Sequence, residues 1–133
     1  MERLGTDNLA ALLEISREAG KAVLDVYHSD FAVENKEDKS PLTLADKKSH
    51  EILSAFLGKH SSSPVLSEEG KDIPYRERKN WERFWLIDPL DGTKEFVKRN
   101  GEFTVNVALI RRGKPVAGII YAPVKDVLYH AVQ

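Results

Sequence analysis

From Leu9 to Val26 the apolar residues fall near helical period, through Leu12, Leu13, Ala19 and Val23. Asp7 or Asn8 stands where an N-cap belongs, so the pattern predicts a first helix to about Tyr27, with Gly20 its one weak point. Phe31-Ala32-Val33 reads as a short strand, and Glu34 to Lys39 as a charged loop with no apolar anchor. Ser40-Pro41 opens a second helix to about Lys59, whose apolar set is Leu44, Ile52, Leu53, Phe56 and Leu57. Beyond the Ser61–Pro64 turn the pattern changes. Val65-Leu66-Ser67 is a short strand, and residues 71 to 83 form a charged surface excursion. An apolar strand over 84–88 precedes a short helix to about Lys98. Phe103 to Ile110 alternates as a strand does, Arg112-Gly113-Lys114 makes a hairpin turn, and Pro115 to Tyr121 is the partner strand. Val127 to Val132 gives a third antiparallel strand, and no internal repeat is present.

Composition narrows the function classes. The 133 residues suffice for one core, and a net charge of −1 gives no general pull toward nucleic acid or an anionic membrane. The absence of cysteine removes disulfides, thiolate metal sites and a cysteine nucleophile. The N-terminus has no apolar signal core, and no run approaches the ~18 apolar residues that span a bilayer. A cytoplasmic protein without stable membrane insertion is the expectation. His28, His50, His60 and His130 lack zinc-ligand spacing.

The richest chemistry lies in Phe84-Trp85-Leu86-Ile87-Asp88-Pro89-Leu90-Asp91-Gly92-Thr93. An apolar strand ends in Asp88, Pro89 stops it, and Asp91 follows at once. Carboxylates at the end of a buried strand are costly unless something cationic meets them. Two around a tight turn suit a hard divalent cation, and the amides after Asp91 open a helix that can receive an anion. Metal beside phosphate points to metal-assisted phosphate ester hydrolysis. A plainer reading stands beside this one: Asp91-Gly92 as a hairpin turn, or Asp91 as a helix cap. Three more segments carry acids or hydroxyls at element ends: Ser40–Asp46, Ser67-Glu68-Glu69-Gly70 and Glu102-Phe103-Thr104. Glu68 and Glu69 also read as a solvated turn.

Leu66-Ser67-Glu68-Glu69 followed by Trp85 to Thr93 resembles the lithium-sensitive, magnesium-dependent inositol monophosphatase-like superfamily. The run Lys94-Glu95-Phe96-Val97-Lys98-Arg99-Asn100-Gly101-Glu102-Phe103 is similar to its branch of bacterial 3′(2′),5′-bisphosphate nucleotidases of the CysQ type. Ser40 to Asp46 and Tyr121-Ala122-Pro123-Val124 fit the same branch. The resemblance implies an α+β fold, two N-terminal helices on an antiparallel sheet, as in the first part of the layered αβαβα sugar-phosphatase fold. It implies that Glu68, Asp88, Asp91 and the Leu90 carbonyl bind metal, with Asp88 bridging two Mg²⁺ ions. Gly92 and Thr93 would meet the scissile phosphate through backbone N–H groups, with Glu68, Leu90 and Asp91 beside it. Asp46 and Thr93 would hold and deprotonate the attacking water, with Glu68 alongside them in the catalytic set. The implied reaction is hydrolysis of the 3′-phosphate of adenosine 3′,5′-bisphosphate to AMP, recycling a by-product of sulfate assimilation. The implied partner is therefore a small nucleotide bisphosphate.

Family members are considerably longer, and their second half carries a further metal-binding aspartate and much of the nucleotide pocket. The 133 residues accordingly read as the N-terminal metal- and phosphate-binding portion, without the C-terminal portion. Two alternatives follow: a phosphatase for inositol or another sugar phosphate, or a non-catalytic half-domain that pairs with a second copy through its exposed sheet edge.

Overall fold

The computed structural model describes residues 6–29, 41–70 and 72–133. The expected Phe31–Val33 strand and the Glu34–Lys39 loop lie outside these residues, as does Ser40. Two long helices come first, α1 (Thr6–Tyr27) and α2 (Pro41–His60), the latter with proline in its first turn, where no N–H is missed. Then follow β1 (Val65–Ser67), a one-turn helix α3 (Tyr75–Arg78), β2 (Arg83–Asp91), α4 (Thr93–Lys98), β3 (Thr104–Arg111), β4 (Lys114–Ala122) and β5 (Val127–Val132). The α3 turn falls inside the charged excursion and was not expected; none of its residues is buried.

The five strands form one sheet in the order β1-β2-β3-β4-β5. The α+β class holds, but the sheet is mixed rather than antiparallel. β1 runs parallel to β2, with Val65 opposite Trp85 and Ser67 opposite Ile87. Parallel neighbours cannot be joined by a tight turn, so the charged excursion is their crossover. This direction decides the site. Glu68 follows Ser67 and Asp88 follows Ile87, so two acids leave the same end of the sheet side by side.

Both helices pack on one sheet face. Trp85, Ile87, Val105, Val107, Leu109 and Ile119 meet Leu12, Ala19, Val23, Leu53 and Leu57 in one core. Alternation along β2 sends Leu86 and Asp88 to the other face. Gly20, the weak point of the first helical pattern, has a packing reason. A Cβ there would overlap the Tyr121 ring and stand 3.3 Å from Pro123 Cβ. The ring is fixed, because Tyr121 Oη donates to Asp126 Oδ1 at 2.7 Å. Tyr27, Phe96 and Phe103 pack ring to ring at centroid distances of 4.9–5.4 Å, which ties α4 to α1.

Candidate active site

The β2 strand does not stop at Pro89. Pairing with β3 resumes at Asp91 opposite Thr104, after Asp88 opposite Asn106. Three steps on β2 match two on β3, so Pro89-Leu90 forms a β-bulge. A bulge is where a strand tolerates proline, which has no N–H for the ladder. The bulge is locked from three directions. The Leu90 N–H donates to the Asp88 carboxylate across Pro89. Ser49 Oγ, fully buried on α2, donates to the Pro89 carbonyl at 2.8 Å. Asn106 Nδ2 donates to Asp91 Oδ2 at 3.0 Å.

Neither plain reading of Asp91-Gly92 describes this turn. The N-cap of α4 is Gly92, with no side-chain cap bond, and β2 and β3 are joined through α4 rather than by a two-residue turn. Gly92 takes φ 94°, and a Cβ there would lie 3.1 Å from the Glu102 carbonyl oxygen. Glycine is therefore required by both conformation and space. Thr93 opens α4 with its side chain exposed.

Glu68 and Asp88 line one cavity of about 580 Å³ on the sheet face away from α1 and α2, together with Asn106, Ile120, Tyr129 and His130. Asp46, on α2, is hydrogen-bonded to Glu69 and feels Asp88 and Glu68. Asp88 in turn feels Asp91, Glu68 and Glu69. The structure thus gathers Asp46, Glu68, Glu69, Asp88 and Asp91 into one electrostatic neighbourhood. It does not close them into one ligand sphere: among the described residues no three acids or histidines form a ready metal-binding group. Glu102 stands apart, paired with Lys125 at 3.1 Å on the surface.

Burial is the first cause of two raised pKa values. Desolvation, the Glu69 hydrogen bond and the surrounding acids push Asp46 from 3.8 to about 7. Desolvation, then Asp91 and Glu68, push Asp88 to about 6, against the lowering effect of the Leu90 N–H. The residues fit a hard divalent cation. The donors are all oxygen, the neighbours that raise these pKa values are acids, and the buried Asp46 Oδ1 and Asn106 Oδ1 lack hydrogen-bond partners.

Residues 6–133 match the inositol monophosphatase family. The chain belongs to that family. It is 50% identical over 129 residues to the 3′(2′),5′-bisphosphate nucleotidase CysQ of Salmonella typhimurium, covering 94% of this chain and 52% of that protein. Among solved structures, CysQ from Bacteroides thetaiotaomicron superposes with a TM-score of 0.88 at 49% identity, over 96% of this chain and 46% of that one. An inositol monophosphatase from Staphylococcus aureus superposes at 0.75 with 27% identity, over 96% and 47%. The chain spans about half the length of the curated relatives it matches.

Of the acids gathered here, Asp46, Glu68, Asp88 and Asp91 are the ones the sequence offers as site residues; Glu69 reads only as part of an acidic turn, and Ser49 and Asn106 are not singled out. Their signals are faint: a serine about one helical turn after Asp46, and a lone amide between Val105 and Val107.

The raised carboxyls set a pH dependence. Each binds more protons folded than unfolded between its two pKa values, so stability falls as pH rises through that window. The window runs from 3.8 to about 7 for Asp46 and to about 6 for Asp88. In chelator, Tm should fall between about pH 4 and about pH 7. Excess divalent cation should flatten or reverse the trend. A Tm that rises across this range in chelator would contradict the assignment.

Proposed function

We propose that this chain forms the metal- and phosphate-binding part of a Mg²⁺-dependent phosphatase that converts adenosine 3′,5′-bisphosphate to AMP and phosphate. The observation that carries the reading is the parallel β1–β2 pairing. It sets Glu68 beside Asp88 at one end of the sheet, next to the bulge that bears Asp91. The nucleotide substrate is supported by relatives of that name at about half identity, against 27% for the inositol monophosphatase. The same reading makes this a cytoplasmic protein with a small-molecule partner.

Glu68, Asp88, Asp91 and the Leu90 carbonyl are the groups that would hold the metal. Bound Mg²⁺ would supply Lewis acidity to the phosphate oxygens and acidity to water. The chain's own groups do the rest. The Gly92 and Thr93 amides receive the phosphate, and the bulge fixes their direction. Thr93 Oγ1 passes a proton from the attacking water to Asp46. Partial burial keeps the Asp46 carboxyl a better proton acceptor than an exposed aspartate. Asn106 holds the Asp91 carboxylate in place.

The 133-residue chain alone is expected to release little phosphate and to bind Mg²⁺ weakly. Its acids repel one another, and the relatives carry about as much chain again. Substituting this chain for the matching half of the Salmonella relative should give a chimaera that turns over the bisphosphate. Turnover of ~1–10³ per second by the 133 residues alone would show that the other half is dispensable.

A further inference from the structure

We propose that His50 is a positioning residue for the Glu68-Glu69 turn, holding it to α2 through Ser67. The proposal deepens the cation-site reading and rests on it. Three side chains on one stripe of α2 reach the two acidic turns. Asp46 feels the Glu69 carboxyl, Ser49 Oγ donates to the Pro89 carbonyl at 2.8 Å, and His50 Nδ1 lies 2.9 Å from Ser67 Oγ. Positions 46, 49 and 50 are spaced i, i+3 and i+4, so they rise from one helix face. That face acts as the frame on which both turns are mounted.

Ser67 is the hub of the first turn. Its side chain is buried, its Oγ accepts the Glu69 N–H at 3.2 Å, and its carbonyl accepts the Gly70 N–H at 3.1 Å. With Oγ already an acceptor, its own proton is available to His50 Nδ1. The imidazole also lies against the turn's far end: a Cβ at Gly70 would stand 3.6 Å from His50 Cε1. Ser54 Oγ is 3.5 Å from both ring nitrogens, at the limit of hydrogen bonding, so Ser67 is the principal partner. No hydrogen bond joins His50 to an acid of the site among the described residues. It acts through Ser67, one residue before Glu68. Groups that orient ligands in this way change metal affinity when they are removed.

The test uses Mn²⁺ as the probe, counted by the paramagnetic resonance of the free ion, on the chimaera that carries the Salmonella relative's other half. The parent is compared with His50→Ala, His50→Asn and Glu68→Gln. Amide hydrogen exchange of Glu69 and Gly70 is followed without metal. Asparagine can present a polar atom near the Nδ1 position, and alanine cannot. His50→Ala should weaken Mn²⁺ binding by ~10-fold or more and speed Glu69 exchange on the order of tenfold. His50→Asn should restore both to within about threefold of the parent. Unchanged affinity and exchange in His50→Ala would overturn the proposal. Faster exchange with Glu68-dependent Mn²⁺ affinity unmoved would do so too, making His50 structural only. Equal losses in both variants, with equal drops in Tm, indicate general packing damage and overturn it as well. Mn²⁺ binding indifferent to Glu68→Gln would instead overturn the cation-site reading, and the exchange arm would then decide the role of His50.

Discussion

Asp88→Asn should abolish turnover in the chimaera, by on the order of 10³-fold or more, while leaving the fold intact. Asp88 sits where three constraints meet. It follows the last parallel pair, precedes the bulge, and lines the cavity with Glu68. As a proposed ligand, it would supply charge that holds a cation beside the phosphate. Asparagine keeps the shape and an oxygen for the Leu90 N–H, and it removes the charge. Burial and neighbouring acids already push this carboxyl up to about 6, so the neutral side chain suits the metal-free fold at least as well. The variant should therefore match or exceed the parent's Tm in chelator. Phosphate release and thermal unfolding, measured on one preparation, check both halves of the expectation. A variant that is inactive because it is unfolded would leave no support for the ligand assignment. One that retains a tenth of the activity or more would refute it.

Thr93→Ala should cost ~10²–10⁴-fold in kcat, with little change in Mg²⁺ affinity. The Thr93 side chain is exposed at the first position of α4, and α4 is anchored elsewhere, by Phe96 in the core and by the Phe96 N–H on the Gly92 carbonyl at 3.0 Å. Losing the hydroxyl should leave that anchor and the backbone amides in place. A loss confined to kcat marks a group that acts in the transition state. Rates within a factor of about three of the parent would remove Thr93 from the proton path.

Much of this site is legible in sequence because its chemistry is local. Asp88-Pro89-Leu90-Asp91-Gly92-Thr93 carries two acids, a proline and a glycine in six consecutive positions, and each has its own reason in the structure. The helices α1 and α2 are legible because apolar period over twenty residues or more is a strong signal. The direction of β1 is not. A three-residue strand has no pattern that encodes its partner, and the crossover that makes it parallel is a charged segment with one short helical turn. Pro89 reads as a strand end because proline usually is one; only the register with β3 shows the bulge. Ser49 and Asn106 escape notice because an isolated polar residue in a helix or strand ordinarily faces water. Here Ser49 instead holds the Pro89 carbonyl in the bulge, and Asn106 the Asp91 carboxylate just after it.

The central claim is that these carboxylates work through a divalent cation on a phosphate ester. Phosphate release from adenosine 3′,5′-bisphosphate by the chimaera, stripped with chelator and then titrated with Mg²⁺, tests it most directly. Release should be negligible before the titration and recover saturably as Mg²⁺ is added, with no recovery in Asp88→Asn. Full turnover in excess chelator, or equal recovery by the Asp88→Asn chimaera, would contradict it.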